Sequence, residues 1–272
     1  MTPPAAPALH HTADGPPGAP PLVLGPSLGT ALTLWDAQLP ALARRFHVLR
    51  WDLPGHGGSP VDALADPRSA TVPELAGLVL ALADSHGLDR FAYAGVSLGG
   101  AVGAWIAAHH PGRIASLALI CSSAWFGEPA GWRERAALVR AKGTDAVADT
   151  AAGRWFTPAF ATAPEATALV EALRTDVTPE GYAACCDALA AFDLRSALPR
   201  IAAPTLVVAG RADPATPPAH ARELADGIPG AHLVELSGAA HLAGVERPAE
   251  VLAALLAHLA PLHTHPDPGT DL

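Results

Sequence analysis

The sequence predicts an α/β fold: a mostly parallel central sheet flanked by helices, with a helical segment inserted between two of its strands. Short apolar runs alternate with longer Ala/Leu-rich segments along most of the 272 residues. The runs lack the in-out alternation of a sheet with one wet face, which suits strands buried on both sides. Strand alternating with helix is the pattern of parallel βαβ units. From Trp125 to about Leu198 the rhythm breaks, and only helical segments follow one another. Such an insertion would cover the carboxyl edge of the sheet, where open α/β sheets bind ligands.

In chain order, strands are expected at 21–24 (PLVL), 46–51 (FHVLRW), 91–96 (FAYAGV), 114–121 (IASLALIC), 205–209 (TLVVA) and 232–236 (HLVEL). Helices are expected at 33–45, 72–87, 100–110, 219–226 and 249–260. Within the insertion they are expected at 132–142, 144–156, 163–176 and 179–192, punctuated by Pro158, Pro164 and Pro179. The resulting organisation is a core in two parts, 8–124 and 199–262, a helical cap or lid at 125–198, and flexible termini at 1–7 and 263–272.

Composition narrows the function classes. Half of the chain is hydrophobic and 16% is charged, enough apolar material for a sizeable core. The net charge of −9 argues against nucleic acid as a partner, because phosphate binding needs clustered Lys and Arg. No run approaches the roughly 18 apolar residues of a membrane span. The N-terminal MTPPAAPALHHTADG lacks the cationic and apolar regions of a secretory signal. The three cysteines, Cys121, Cys185 and Cys186, are odd in number and two are adjacent. They read as reduced, buried thiols of a cytoplasmic protein, and without a Cys-x-x-Cys no zinc held through cysteine is expected.

The most informative segment is Gly95-Val96-Ser97-Leu98-Gly99, a Gly-x-Ser-x-Gly directly after a strand and directly before a helix. That is the context of a nucleophile elbow: glycines permit the tight turn and the serine hydroxyl projects at the top of the sheet. A nucleophilic serine needs a base, and the base needs an orienting acid, in the chain order Ser, acid, His. Asp213 follows the strand at 205–209, and His241 follows the strand at 232–236, so both fall at the same edge as Ser97. His56, in a Pro/Gly turn before the nucleophile, fits a structural turn better than a base. Stabilising an oxyanion takes two backbone donors. One is expected from Leu98, and the other from Ser27, with Leu28 second, in Gly25-Pro26-Ser27-Leu28, since Pro26 has no N–H.

These stretches, with GPSLGTALTLWD (25–36), RWDLPGHGGSP (50–60), AWFGEPAGWRERAALVRAKG (124–143) and GAAHLAGVERP (238–248), resemble the α/β-hydrolase superfamily and, more narrowly, its 3-oxoadipate enol-lactonases. Pro26 departs from the Asn expected there. The resemblance implies the α/β-hydrolase fold and a small anionic lactone as substrate, opened through an acyl-enzyme on Ser97 with no metal or organic cofactor. An anionic substrate calls for a cationic anchor. Arg133, Arg135 and Arg154 are the candidates, with Arg133 ranked first because it follows Trp132. Trp125 and Trp155 are expected to wall the pocket. The rival readings are a carboxylesterase or C–C bond hydrolase on the same fold, or a non-catalytic small-molecule-binding homologue. Serine at the elbow argues against haloalkane dehalogenase and epoxide hydrolase chemistry, whose resemblance would require Asp.

Overall fold

The structure is a computed structural model that describes residues 9–263. Its sheet has seven strands: β1 (His11–Asp14), β2 (Pro21–Gly25), β3 (His47–Trp51), β4 (Phe91–Val96), β5 (Ile114–Ile120), β6 (Thr205–Gly210) and β7 (His232–Leu236). They lie in the order β1-β3-β2-β4-β5-β6-β7. All neighbours run parallel except β1, which pairs antiparallel with β3 at the edge. Every residue of β4 and β6 is buried, which explains their largely apolar sequences. The six expected strands are all present to within a residue. The seventh, His11-Thr12-Ala13-Asp14, is polar and half exposed, so it has no apolar signal.

The helices are α1 (Leu39–Leu42), α2 (Val72–Ser85), α3 (Leu98–His109), α4 (Pro129–Lys142), α5 (Asp145–Ala148), α6 (Ala151–Trp155), α7 (Pro164–Thr175), α8 (Pro179–Ala190), α9 (Pro218–Gly227), α10 (Ala243–Glu246) and α11 (Pro248–Leu259). Two expected helices are broken. Residues 33–45 form a 3-10 turn (Leu32–Trp35) and the single turn α1, and residues 144–156 split into α5 and α6. Elsewhere capping sets the boundaries. Thr71 Oγ1 accepts the Glu74 amide before α2, and Thr178 Oγ1 accepts the Gly181 amide before α8. The expected flexible termini lie outside the described residues except His263, which ends a 3-10 helix.

Parallel strands bring their carboxyl ends to one edge. The loops after β2, β4, β6 and β7 therefore gather there, beneath the helices α4–α8 that intervene between β5 and β6. Where this segment leaves and rejoins the core, the Leu194 amide donates to Ala124 O at 2.8 Å. Inside it, Arg140 ties α4 to Glu180 (3.0 Å) and Asp187 (2.8 Å) of α8. The loop after β3 holds it to the core. The Gly57 amide donates to Asp176 O and the Thr178 amide to Gly55 O, each at 2.8 Å. Gly55 (φ +72°) and Gly181 meet backbone to backbone, and a Cβ on Gly181 would lie 2.5 Å from Gly55 Cα and 2.7 Å from Pro54 O. Among the described residues no helix is long and apolar enough to cross a membrane.

Helix propensity alone makes Gly181→Ala stabilising by about 1 kcal/mol. The backbone clash reverses the sign. Urea unfolding of Gly181→Ala is expected to show a loss of about 1–3 kcal/mol, and a gain would contradict this packing.

Candidate active site

Ser97 occupies the turn between β4 and α3 with φ 54° and ψ −115°. L-residues resist positive φ, at a cost of about 1–3 kcal/mol, so the surroundings must impose it. The Ser97 amide donates to Ile120 O at 2.9 Å and the Ser122 hydroxyl donates to Ser97 O at 2.7 Å. The flanking glycines leave no room for side chains. A Cβ on Gly95 would lie 2.4 Å from the Gly99 carbonyl, and one on Gly99 would lie 2.5 Å from Pro26 O.

At the same edge, His241 Nδ1 lies 2.9 Å from Asp213 Oδ2, with both side chains buried. A carboxylate facing Nδ1 fixes the proton there and leaves Nε2 as the free ring nitrogen. Asp213 is itself held. The Ala215 and Thr216 amides donate to Oδ1 at 2.8 and 2.9 Å, and the Thr216 hydroxyl donates to Oδ2 at 2.7 Å. Burial, the largest influence, works to raise its pKa. His241 and the Thr216 hydrogen bonds outweigh burial and hold the carboxyl below the usual carboxylate range. Thr216 was not singled out from sequence, although a hydroxyl three residues after a loop aspartate is the signal of such a turn.

A cavity of about 200 Å³ opens over Ser97 and His241, and Ser27, Leu28, Tyr182 and Trp155 are among its walls. The Leu98 amide starts α3, where no preceding turn supplies an acceptor. In the facing loop, Pro26 O accepts the Gly99 amide at 3.0 Å, which seats that loop on the elbow. The Ser27 amide donates to the Thr30 hydroxyl at 3.1 Å. A neutral hydroxyl is a weaker acceptor than an oxyanion.

Two of the expected substrate contacts are corrected. Arg133 is exposed on α4 and does not line the cavity. Trp125 is also absent from the wall. It bridges to Asp193 where the insertion closes, with the Arg195 guanidinium 4.6 Å from its ring. The cavity instead receives Arg135 and Arg154. Arg135 lies three residues after Trp132 on the same helix face, whereas Arg133 points about 100° away. The Arg135 guanidinium sits 4.8 Å from the Trp132 ring. Arg154 donates to Val147 O at 3.3 Å, and burial followed by repulsion from Arg135 lowers its pKa. Neither arginine has a carboxylate partner within 4.0 Å among the described residues.

His56 is held in the loop packing by contacts with Gly29 and Pro54. It is fully buried, accepts the Gly29 amide at Nε2 (3.2 Å) and lies 3.1 Å from Pro54 O through Nδ1. Burial pushes its pKa down to about 4, against smaller opposing effects of Pro54 and Asp52. All three cysteines are buried and free.

A sequence profile of the alpha/beta hydrolase fold matches residues 20–248. The chain is 38% identical to 3-oxoadipate enol-lactonase 2 of Acinetobacter baylyi, over 89% of each chain. It is 32% identical to a pimeloyl-[acyl-carrier protein] methyl ester esterase of Chromobacterium violaceum, over 80% of this chain and 85% of that one. Among solved structures, the enol-lactonase from Burkholderia xenovorans superimposes with a TM-score of 0.87 at 39% identity, covering 93% of this chain and 96% of that one.

Neutral His56 links stability to pH. The unfolded residue binds its proton near 6.5 and the folded one near about 4, so unfolding takes up a proton between those values. Stability is therefore full above the upper value and falls by roughly 3 kcal/mol as pH drops through the window. Urea unfolding from pH 7 to 4 is expected to show a larger acid loss for the wild type than for His56→Gln. Equal losses would count against a neutral His56.

Proposed function

The chain belongs to the α/β hydrolase family, and on that footing we propose that it hydrolyses 3-oxoadipate enol-lactone to 3-oxoadipate, in the β-ketoadipate route of aromatic catabolism. The observation that carries this reading is the pair Arg135 and Arg154 in the cavity over Ser97. Two half-buried guanidiniums without carboxylate partners repel one another, and an anion between them relieves that repulsion. A guanidinium matches a planar carboxylate in shape and hydrogen-bond pattern. The lactone's acetate arm supplies one, whereas a neutral ester leaves both cations unpaired. Resemblance at 32–39% identity spans a lactonase and a methyl ester esterase, so the charge of the cavity separates the two better than overall likeness does.

In the proposed reaction Ser97 Oγ attacks the lactone carbonyl and its proton passes to His241 Nε2. Asp213 keeps the Nδ1 proton in place and stabilises the imidazolium. The amides of Leu98 and Ser27 receive the oxyanion, the latter exchanging the Thr30 hydroxyl for a charged acceptor. Collapse breaks the ring C–O bond. The leaving oxygen departs as an enolate, which takes the proton held on His241 Nε2 and tautomerises to the ketone, so that His241 is again a neutral base. Because the ring is cyclic, the departing group stays attached through the acyl chain. Water then adds to the acyl-enzyme carbonyl, gives its proton to His241 and releases 3-oxoadipate as Ser97 recovers its own.

Ser97→Ala is expected to lower kcat by at least about 10³-fold on the enol-lactone with the melting temperature preserved, read from ultraviolet loss of the conjugated lactone. Wild-type turnover in that variant would remove the mechanism. Arg135→Ala and Arg154→Ala are each expected to raise KM for the lactone about tenfold or more. KM for a neutral aryl acetate should stay within about threefold. Equal effects on both substrates would remove the anchor, and good turnover of the ester with none of the lactone would favour a carboxylesterase.

A further inference from the structure

We infer that Glu246 is a positioning residue for His241, the group through which the helical insertion sets the imidazole in place. The inference rests on the proposed role of His241 as proton carrier. His241 hangs in the loop between β7 and α10, and a loop side chain is only as well placed as the backbone on either side of it. Both neighbouring amides are tied to one short segment of the insertion. The Leu242 amide donates to Trp155 O at 2.9 Å. The Ala240 amide donates to Glu246 Oε2 at 2.9 Å. The other oxygen of that carboxylate accepts the Thr157 amide at 3.2 Å and the Thr157 hydroxyl. Trp155, which supplies the first tie, is itself a wall of the cavity.

The Glu246 carboxylate is buried and has no cation within 4.0 Å among the described residues. Its hydrogen-bond donors are amides and a hydroxyl, and Arg247 feels its charge without an ion-pair contact. A buried carboxylate with no cation in contact is a costly way to fasten a loop. It does bring two donors from the insertion and one from the histidine loop to a single acceptor, which no neutral side chain does as strongly. The histidine loop has a separate tie to the acid loop, through the Ala212 amide and Ala239 O at 2.9 Å. Glu246 thus adds the insertion to a framework that already joins His241 to Asp213. Substrate seated between Trp155 and Ser97 then meets an imidazole whose place is set by the same segment that bounds the substrate.

The test compares Glu246→Gln, Thr157→Val and the double variant, with His241→Ala beside them, on the enol-lactone and on a neutral aryl acetate, each with its melting temperature. The glutamine keeps the size but cannot accept all three donors. Each single variant is expected to lower kcat on both substrates on the order of tenfold, with KM within about twofold. The double variant is expected to be about as slow as the slower single one, because both changes cut the same tie. Unchanged kcat in folded Glu246→Gln, an effect confined to KM, or multiplying effects in the double variant would each overturn the inference. If Glu246→Gln does not fold, unchanged kcat in Thr157→Val overturns it alone. Wild-type turnover in His241→Ala would instead remove the proposed role of His241. An inactive His241→Ala beside a wild-type Glu246→Gln would remove the positioning role only.

Discussion

The positive φ of Ser97 is the constraint on which the site depends. A serine at φ 54° has left its comfortable backbone regions, and it stays there because every way out is blocked. Gly95 and Gly99 approach each other too closely to tolerate side chains, and the Tyr93 hydroxyl donates to Gly99 O at 2.9 Å from within β4. The loop after β2 is pressed against the same turn through Pro26 O. One strained residue therefore fixes the hydroxyl, the start of α3 and the facing loop together. The parallel order of β4, β6 and β7 then delivers Asp213 and His241 to the same edge.

Charge is arranged against the overall sign. The chain carries a net −9, yet the cavity over Ser97 is lined by two arginines and by no carboxylate. Global charge governs solubility and approach from a distance, whereas recognition in a small enclosed site follows the groups within a few ångströms. The one buried carboxylate of the proposed triad, Asp213, spends its charge on His241 and Thr216 rather than on the substrate side.

Much of this was legible in the sequence because strongly buried elements write themselves plainly. β4 and β6 are buried throughout and largely apolar, and Ser97, Asp213 and His241 follow strands whose parallel order brings them to one edge. The failures have particular causes. β1 is a four-residue polar edge strand, and hydrophobic pattern does not mark such a strand. The helix expected at 33–45 gives way to a 3-10 turn and a single helical turn, with Pro40 at the start of α1. The choice of Arg133 over Arg135 came from adjacency to Trp132, where helical spacing was the better guide. Glu246 left no trace in the sequence, because its partners at Thr157 and Ala240 come from segments that only the tertiary fold brings together.

The central claim is that Ser97 opens a cyclic ester and keeps both fragments on the enzyme. Acid-quenched single turnovers with the enol-lactone, read by intact-protein and peptide mass spectrometry, test it most directly. An acyl-enzyme from an open-chain ester has lost its alcohol, but one from a lactone carries the whole substrate. The account predicts a transient adduct of the full lactone mass on the peptide containing Ser97, decaying as product appears. Turnover with the adduct on another residue, or with no adduct at any quench time, would contradict it.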